Sequence, residues 1–253
     1  MTFKHVRILL LLAVLLAAAG LRAWDRHVVT SWQSPLTVVI FPIRGDDSAE
    51  IAKYVQKLDR ARFAPVGDFI QQQGARFSGR LFPLPDISLG KEIAELPPAR
   101  PARQSVSGNM LWSLKLRYYA LRQSGFSLRP GVIRIFVIYH QGEEGKALDH
   151  SLGIRDGLIG VVHAFGLPKQ DAQNNVVMTH ELLHTLGATD KYGAQNMPVY
   201  PEGFAEVKDS PQYPQRMAEI MAGRIPLSAT RARMPSGLEE CVIGYKTAYE
   251  IHW

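Results

Sequence analysis

The sequence predicts an α+β fold, a small twisted mixed sheet backed by helices, and three observations carry that prediction. Two continuous apolar and β-branched runs, Leu36 to Ile43 and Val132 to Tyr139, read as buried strands. Segments with helical periodicity lie between and after them. Two shorter β-like pieces, around Leu152 to Arg155 and Leu158 to Ala164, are divided by Asp156 and Gly157, a hairpin turn signal. The order of strand, two helices, strand, hairpin and final helix suits a layered sheet. With 253 residues and 46% hydrophobic content, one domain with a substantial core is expected.

The first element is the leader. Lys4 and Arg7 precede an uncharged leucine- and alanine-rich run, Ile8 to Leu21, the pattern of an export signal. Ala17 and Ala19 offer a cleavage pattern, whereas Arg22, Trp24 and Arg26 resemble the interfacial anchors of a retained helix. The run falls short of the roughly 20 residues that span a bilayer, but Val6, Ala23 and snorkelling arginines extend it. Residues 1–26 are therefore expected to be a signal peptide or a membrane anchor with a cytoplasmic N-terminus. Residues 27–253 are expected outside the cytoplasm, either anchored or, after cleavage, secreted or periplasmic.

Pro35 then opens the first strand. Asp46, Asp47 and Ser48 offer an N-cap to a helix from Ala49 to about Arg60, with Ile51, Tyr54, Val55 and Leu58 on one face. Six prolines between Phe63 and Arg103 predict short helices and loops. Ser105 to Gln123 reads as an amphipathic helix carrying Met110, Leu111, Leu114, Tyr118 and Leu121, with Gly125 to end it. A Gly-rich turn at Gln141 to Lys146 follows the second strand.

Charge excludes one class of partner. Of the formal +6, residues 1–26 supply +3, and the remaining +3 is too little to argue for nucleic acid. A single cysteine, Cys241, excludes an internal disulfide framework.

The chemistry sits in Val176 to Gly187, VVMTHELLHTLG, which contains His180, Glu181 and His184 as H-E-x-x-H. On a helix, residues four apart stack on one face, so both imidazoles can reach one metal ion with Glu181 beside the open coordination position. Leu182, Leu183 and Leu186, with Val176 and Val177, give the other face a core, and Asn174 or Asn175 is a candidate N-cap. A bare H-E-x-x-H would arise by chance in about one chain in a hundred, and an ordinary helix with a surface histidine pair is the alternative. Gly187 and Asp190 weigh against it. The glycine can take the left-handed conformation that ends the helix and swing Asp190 back as a third ligand.

The string HELLHTLGATD resembles the extended zinc-binding pattern of the metzincin clan, H-E-x-x-H-x-x-G-x-x-H/D, in the variant with aspartate as third ligand found in snapalysin-like peptidases. The resemblance covers about Val176 to Ile225. It implies a methionine turn beneath the metal, for which Met221 in AEIMAGRI is the best match and Met217 the alternative, and a C-terminal helix, Leu238 to His252. It also implies a zinc endopeptidase with Glu181 as general base. Two departures matter: aspartate replaces the usual third histidine, and no tyrosine follows Met221. Tyr192 is the nearest phenol that could support the oxyanion, the alternative being a packing tyrosine.

Three further features are open. His163, in GVVHAFG, is expected on or near the substrate-pairing sheet edge, with a structural role preferred. The Pro- and aromatic-rich loop between Asp190 and Met221 could wall the primed side of a cleft or merely connect. Glu202 and Asp209 match no known calcium loop. The expected partner is a protein or peptide substrate, with the membrane added if the leader is retained. Two other functions compete: a silent relative that binds a partner at the membrane, and a zinc hydrolase of non-peptide amides or esters.

Overall fold

Val132–His140 is apolar at nearly every position because both of its sides are covered. It forms the centre of the sheet. The computed structural model describes residues 3–79, 82–101, 105–125, 129–142, 151–154, 157–208 and 212–253. Strands β1 (Thr37–Arg44), β2 (Asp86–Leu89), β3 (Val132–His140), β4 (Leu152–Ile154) and β5 (Ile159–Phe165) make one sheet in the order β2-β1-β3-β5-β4. All neighbours are parallel except the edge strand β4, which runs antiparallel to β5 as the hairpin signal implied. Arg155 and Asp156 of that turn, and 143–146 of the expected Gly-rich turn, lie outside the described residues.

Alternate side chains of β3 divide the core. Ile133, Ile135, Val137 and Tyr139 face α2 (Ala49–Gln56), α3 (Ala64–Ser78) and α5 (Asp171–Leu186), whereas Phe136 and Ile138 face α4 (Val106–Ser124). The cap of α2 is Ser48, whose hydroxyl accepts from Ile51 N at 3.3 Å.

The proline-rich stretch is more regular than expected. Pro65 falls in the first turn of α3, where a missing N–H costs nothing, and Pro83 and Pro85 come after Gly79 has ended the helix with φ 67°. A second correction concerns α4. The face expected in the core, Met110, Leu111, Leu114, Tyr118 and Leu121, points outward, and Leu116, Tyr119 and Ala120 seal the sheet instead. Periodicity finds an apolar stripe but cannot choose between two such stripes on one helix.

The C-terminal region corrects a third expectation. Downstream of α5, β6 (Ala218–Glu219) and the hairpin of β7 (Ile225–Ser228) and β8 (Arg231–Arg233) precede a 3₁₀ turn at Leu238–Glu240, strand β9 (Cys241–Val242) and α6 (Tyr245–Glu250). No single helix spans Leu238 to His252, because β9 pairs in parallel with β6 and Gly237 and Gly244 bracket that pairing. Cys241 is a buried strand residue rather than a helical one.

The leader is helical well past residue 26. Helix α1 (Phe3–Thr30) has a mean hydropathy of 2.2 over its apolar window, which is wholly exposed, and is long and apolar enough to cross a membrane. Its far end is seated on the body. Asp25 accepts from Gly131 N at 2.7 Å, Val29 is buried, and just beyond the helix Trp32 Nε1 donates to Ile251 O at 2.8 Å.

Candidate metal centre

Helix α5 starts at Asp171, earlier than an asparagine cap would place it. Asn174 and Asn175 are buried inside it and act as fasteners. Asn174 accepts from Phe165 N at 3.1 Å and donates to Phe165 O at 2.8 Å, which locks α5 to β5, and Asn175 donates to Arg62 O at 2.9 Å. Val176, Leu182, Leu183 and Leu186 bury the inner face, as expected. Gly187, at φ 118°, closes the helix with its N–H on Leu183 O and His184 O. A side chain there would be strained.

This bend brings Asp190 back. Its Oδ1 lies 3.1 Å from His180 Nε2 and 3.0 Å from His184 Nε2, and the two Nε2 atoms are 3.0 Å apart. The outer nitrogens are committed: His180 Nδ1 donates to Ile220 O at 2.9 Å and His184 Nδ1 donates to Ala188 O at 2.8 Å. With the Nδ1 atoms as donors, each neutral ring presents a lone pair at Nε2. Two imidazole lone pairs and a carboxylate oxygen then crowd one point with no hydrogen among them. Such a triangle is repulsive unless a proton or a metal ion occupies it, and tetrahedral zinc with ligands near 2.0–2.1 Å would space them about 3.3 Å apart.

The electrostatics agree. Burial alone would lower the His180 pKa, yet Asp190, Glu181 and Ile220 O together raise it above the ordinary imidazole value. Burial likewise opposes ionisation of Asp190, but the His180 and His184 rings beside it hold the carboxyl far below the usual range. The cluster favours added positive charge. His180, Glu181 and His184 lie close enough together to hold a metal ion. Glu181 is buried, which pushes its carboxyl up, and its Oε2 has no hydrogen-bond partner. An unpaired buried oxygen beside three converging ligands is where a water on an ion would be received.

Edge strand β4 passes against this point. A β-carbon on Gly153 would lie 2.5 Å from Glu181 O, 2.5 Å from His184 Cβ and 3.3 Å from Glu181 Oε2, so only glycine allows the approach. The Tyr192 ring stacks on His180 with centroids 6.4 Å apart, and burial, Asp190 and Glu181 push its phenol up to about 12. His163 is one strand in from the edge, on β5, where its Nδ1 meets His140 Nε2 at 2.9 Å.

Met221 is fully buried in a turn that touches both arms of the site: Ile220 O receives His180, and Met221 O accepts from Lys191 N at 3.0 Å. Met217 lies before β6, away from that turn in sequence. The loop from Asp190 to Met221 is packed onto itself, with Phe204 buried between the rings of Tyr200 and Tyr213 and Gln215 bonded to Glu206 N and O. Glu202 is exposed, and Asp209 lies outside the described residues.

Four supporting residues had no local signal. Glu219 and Thr247 build the methionine turn from strand and helix. Lys191 Nζ, with its side chain 2% exposed, meets Glu250 at 2.8 Å, and the same carboxylate accepts from Thr189 N at 2.9 Å and Thr189 Oγ1 at 2.8 Å. Glu250 thus clamps both neighbours of Asp190. Glu250→Ala would leave a buried lysine without its counter-charge, bonded only to Thr189 O and Oγ1, and is expected to cost about 3 kcal/mol of stability, read as a lower urea midpoint. An unchanged midpoint would show that the clamp is dispensable.

No family model matches the chain, and no curated protein matches it. Among the solved structures that resemble it, two are alike only weakly. One, titled "Structure of a chaperone-substrate complex", has a TM-score of 0.38 at 14% identity over 86% of this chain and 33% of its own. The other, wild-type OgpA from Akkermansia muciniphila, has a TM-score of 0.35 at 12% identity over 86% of this chain and 60% of its own. The chain spans about a third and three fifths of those two lengths.

Proposed function

We propose that the chain is a zinc-dependent endopeptidase that cleaves protein or peptide outside the cytoplasm, held there by α1 as a membrane anchor. The observation that carries this reading is the triangle of His180 Nε2, His184 Nε2 and Asp190 Oδ1, three acceptors within 3.0–3.1 Å beside the unpaired Oε2 of Glu181. Two histidines and one carboxylate make a working catalytic zinc set. The aspartate ligand, the edge strand at the site and the buried methionine turn support the resemblance to the metzincin clan.

Bound there, zinc would supply Lewis acidity to a water molecule and to the scissile carbonyl. Glu181 takes the proton of the attacking water and returns it to the leaving amine. The open side of β4 can pair with an extended peptide, which sets the substrate backbone across Glu181. Tyr192, kept protonated by its raised pKa, donates to the carbonyl oxygen as that atom gains charge.

The test is metal analysis of the purified protein together with peptide cleavage before and after chelation. About one zinc per chain is expected, with cleavage lost to chelator and restored by added zinc. A folded protein that takes up no transition metal would end the proposal. Cleavage of small amides but of no peptide would favour a non-peptide hydrolase.

A further inference from the structure

Six large apolar side chains of α4, Val106, Met110, Leu111, Leu114, Tyr118 and Leu121, stand between 47% and 81% exposed. At the 3.6 residues per turn of an α-helix they fill one arc of about 140°. This arc is roughly opposite Leu116, Tyr119 and Ala120, which seal the sheet. A helix apolar on both sides with one side bare marks an interaction surface rather than a solvated one. The patch continues onto the neighbouring loop, where Leu96 and Tyr118 line one hollow.

Charge and position say what covers it. Residues 106–124 include Lys115, Arg117 and Arg122 and no acidic residue, and Glu95 of the neighbouring loop pairs with Arg122, which leaves a net charge of +2 (3 minus 1) on this surface. The helix also lies beside the root of α1. A β-carbon on Gly157 would sit 3.5 Å from Arg117 Nε, and Gly157 and Leu158, together with Thr185 and Leu186 at the end of α5, form one wall of a cleft whose other wall is α1 from Ala19 to Thr30. At its end, Ser124 Oγ accepts from Arg134 Nε at 2.9 Å, and Arg134 feels the charge of Asp25 on α1.

We propose that α4 lies on the bilayer that α1 crosses, with its bare apolar face in the headgroup and upper acyl region of an anionic phospholipid surface. The inference rests on reading α1 as a retained anchor. Lipid is favoured over a second copy of the chain because a cationic helix repels its own copy and attracts anionic headgroups. The C-terminal end of α4 also lies near the root of the anchor. Because α4 and α5 cover opposite faces of the sheet, the sheet separates a bilayer under α4 from the metal centre. The substrates are then soluble chains or the exposed stretches of membrane proteins, not membrane-embedded segments.

The full chain can be reconstituted into phosphatidylcholine vesicles with and without phosphatidylglycerol, carrying an environment-sensitive fluorophore at Leu111→Cys or Leu114→Cys. Native Cys241 is buried and does not compete. Controls are Val14→Cys in α1 and Thr230→Cys on the β7–β8 turn. Quenching by shallow spin-labelled lipid is expected to be several-fold stronger at 111 and 114 than at 230, stronger with anionic lipid and weaker with salt. Two results would overturn the proposal. One is iodide quenching at 114 as complete as at 230; the other is shielding from iodide without lipid quenching, growing with protein density, which indicates a second copy. Quenching at 114 by the shallow label without quenching at 14 by a lipid labelled deep in its acyl chain would sink the anchor reading while leaving α4 on the surface.

Discussion

Glu181→Gln is expected to lower kcat/KM for a peptide by about 10²–10⁴-fold while leaving the zinc content near that of the wild type. The two halves of this result come from different atoms. Metal would be held by His180, His184 and Asp190, none of which depends on the Glu181 carboxylate for its geometry. In the proposed reaction proton transfer would depend on it entirely, and glutamine of the same shape has no basic oxygen to receive the proton. Stability is expected to hold or rise slightly, since burial pushes the Glu181 carboxyl up and its Oε2 lacks a partner, so removing the ionisable group relieves a desolvation cost. The measurement is kcat/KM beside zinc content and thermal midpoint on one preparation. A glutamine variant that cleaves at the wild-type rate would remove Glu181 from the chemistry, and one that loses its zinc would make the residue structural.

Much of the fold was legible because its signals are local. Continuous apolar runs marked β1 and β3, Asp156 and Gly157 marked the hairpin, and Ser48 marked the start of α2. The site was legible for the same reason: His180, Glu181, His184, Gly187 and Asp190 fall within eleven consecutive residues, where helix periodicity and one left-handed glycine set the geometry. What escaped depends on distant chain. Asn174 and Asn175 look like caps until β5 and Arg62 supply their partners. The face of α4 that meets the sheet is decided by the shape of the sheet, since both faces are apolar. The terminal segment gives up helix for the β6–β9 ladder only because β6 is beside it. Glu250 and Lys191, 59 positions apart, show no pattern at all until the chain folds.

Glu219→Ala is expected to be the most destabilising single change outside the metal ligands. The residue is fully buried, and one carboxylate accepts four hydrogen bonds: Oε2 from Met221 N at 2.7 Å and Ala222 N at 3.0 Å, and Oε1 from Gly244 N at 3.2 Å and the Thr247 hydroxyl at 2.7 Å. Alanine would strand Met221 N and the Thr247 hydroxyl away from water at about 1–3 kcal/mol each, while Ala222 N keeps the residue 219 carbonyl and Gly244 N is only half-buried, so a loss of about 4 kcal/mol is expected, near the upper limit for point variants. The turn held in this way presents Ile220 O to His180 and Met221 O to Lys191, so metal affinity is expected to fall with stability, by about 10–100-fold. Glu219→Gln separates the two roles of the carboxylate. Its remaining oxygen can keep Met221 N and Ala222 N, while its amide can donate to the Thr247 hydroxyl, so only the Gly244 bond is lost and the damage is smaller. Acidity supplies a further discriminator. Burial raises the Glu219 pKa against the pull of its four donors. The folded state therefore binds this proton more tightly than the unfolded chain, and the contribution of Glu219 is largest at acid pH and fades as pH rises through the folded value. The stability gap between wild type and Glu219→Gln is accordingly expected to widen as pH falls from neutrality, and a gap that stays flat or narrows would mean that Glu219 remains ionised in the fold.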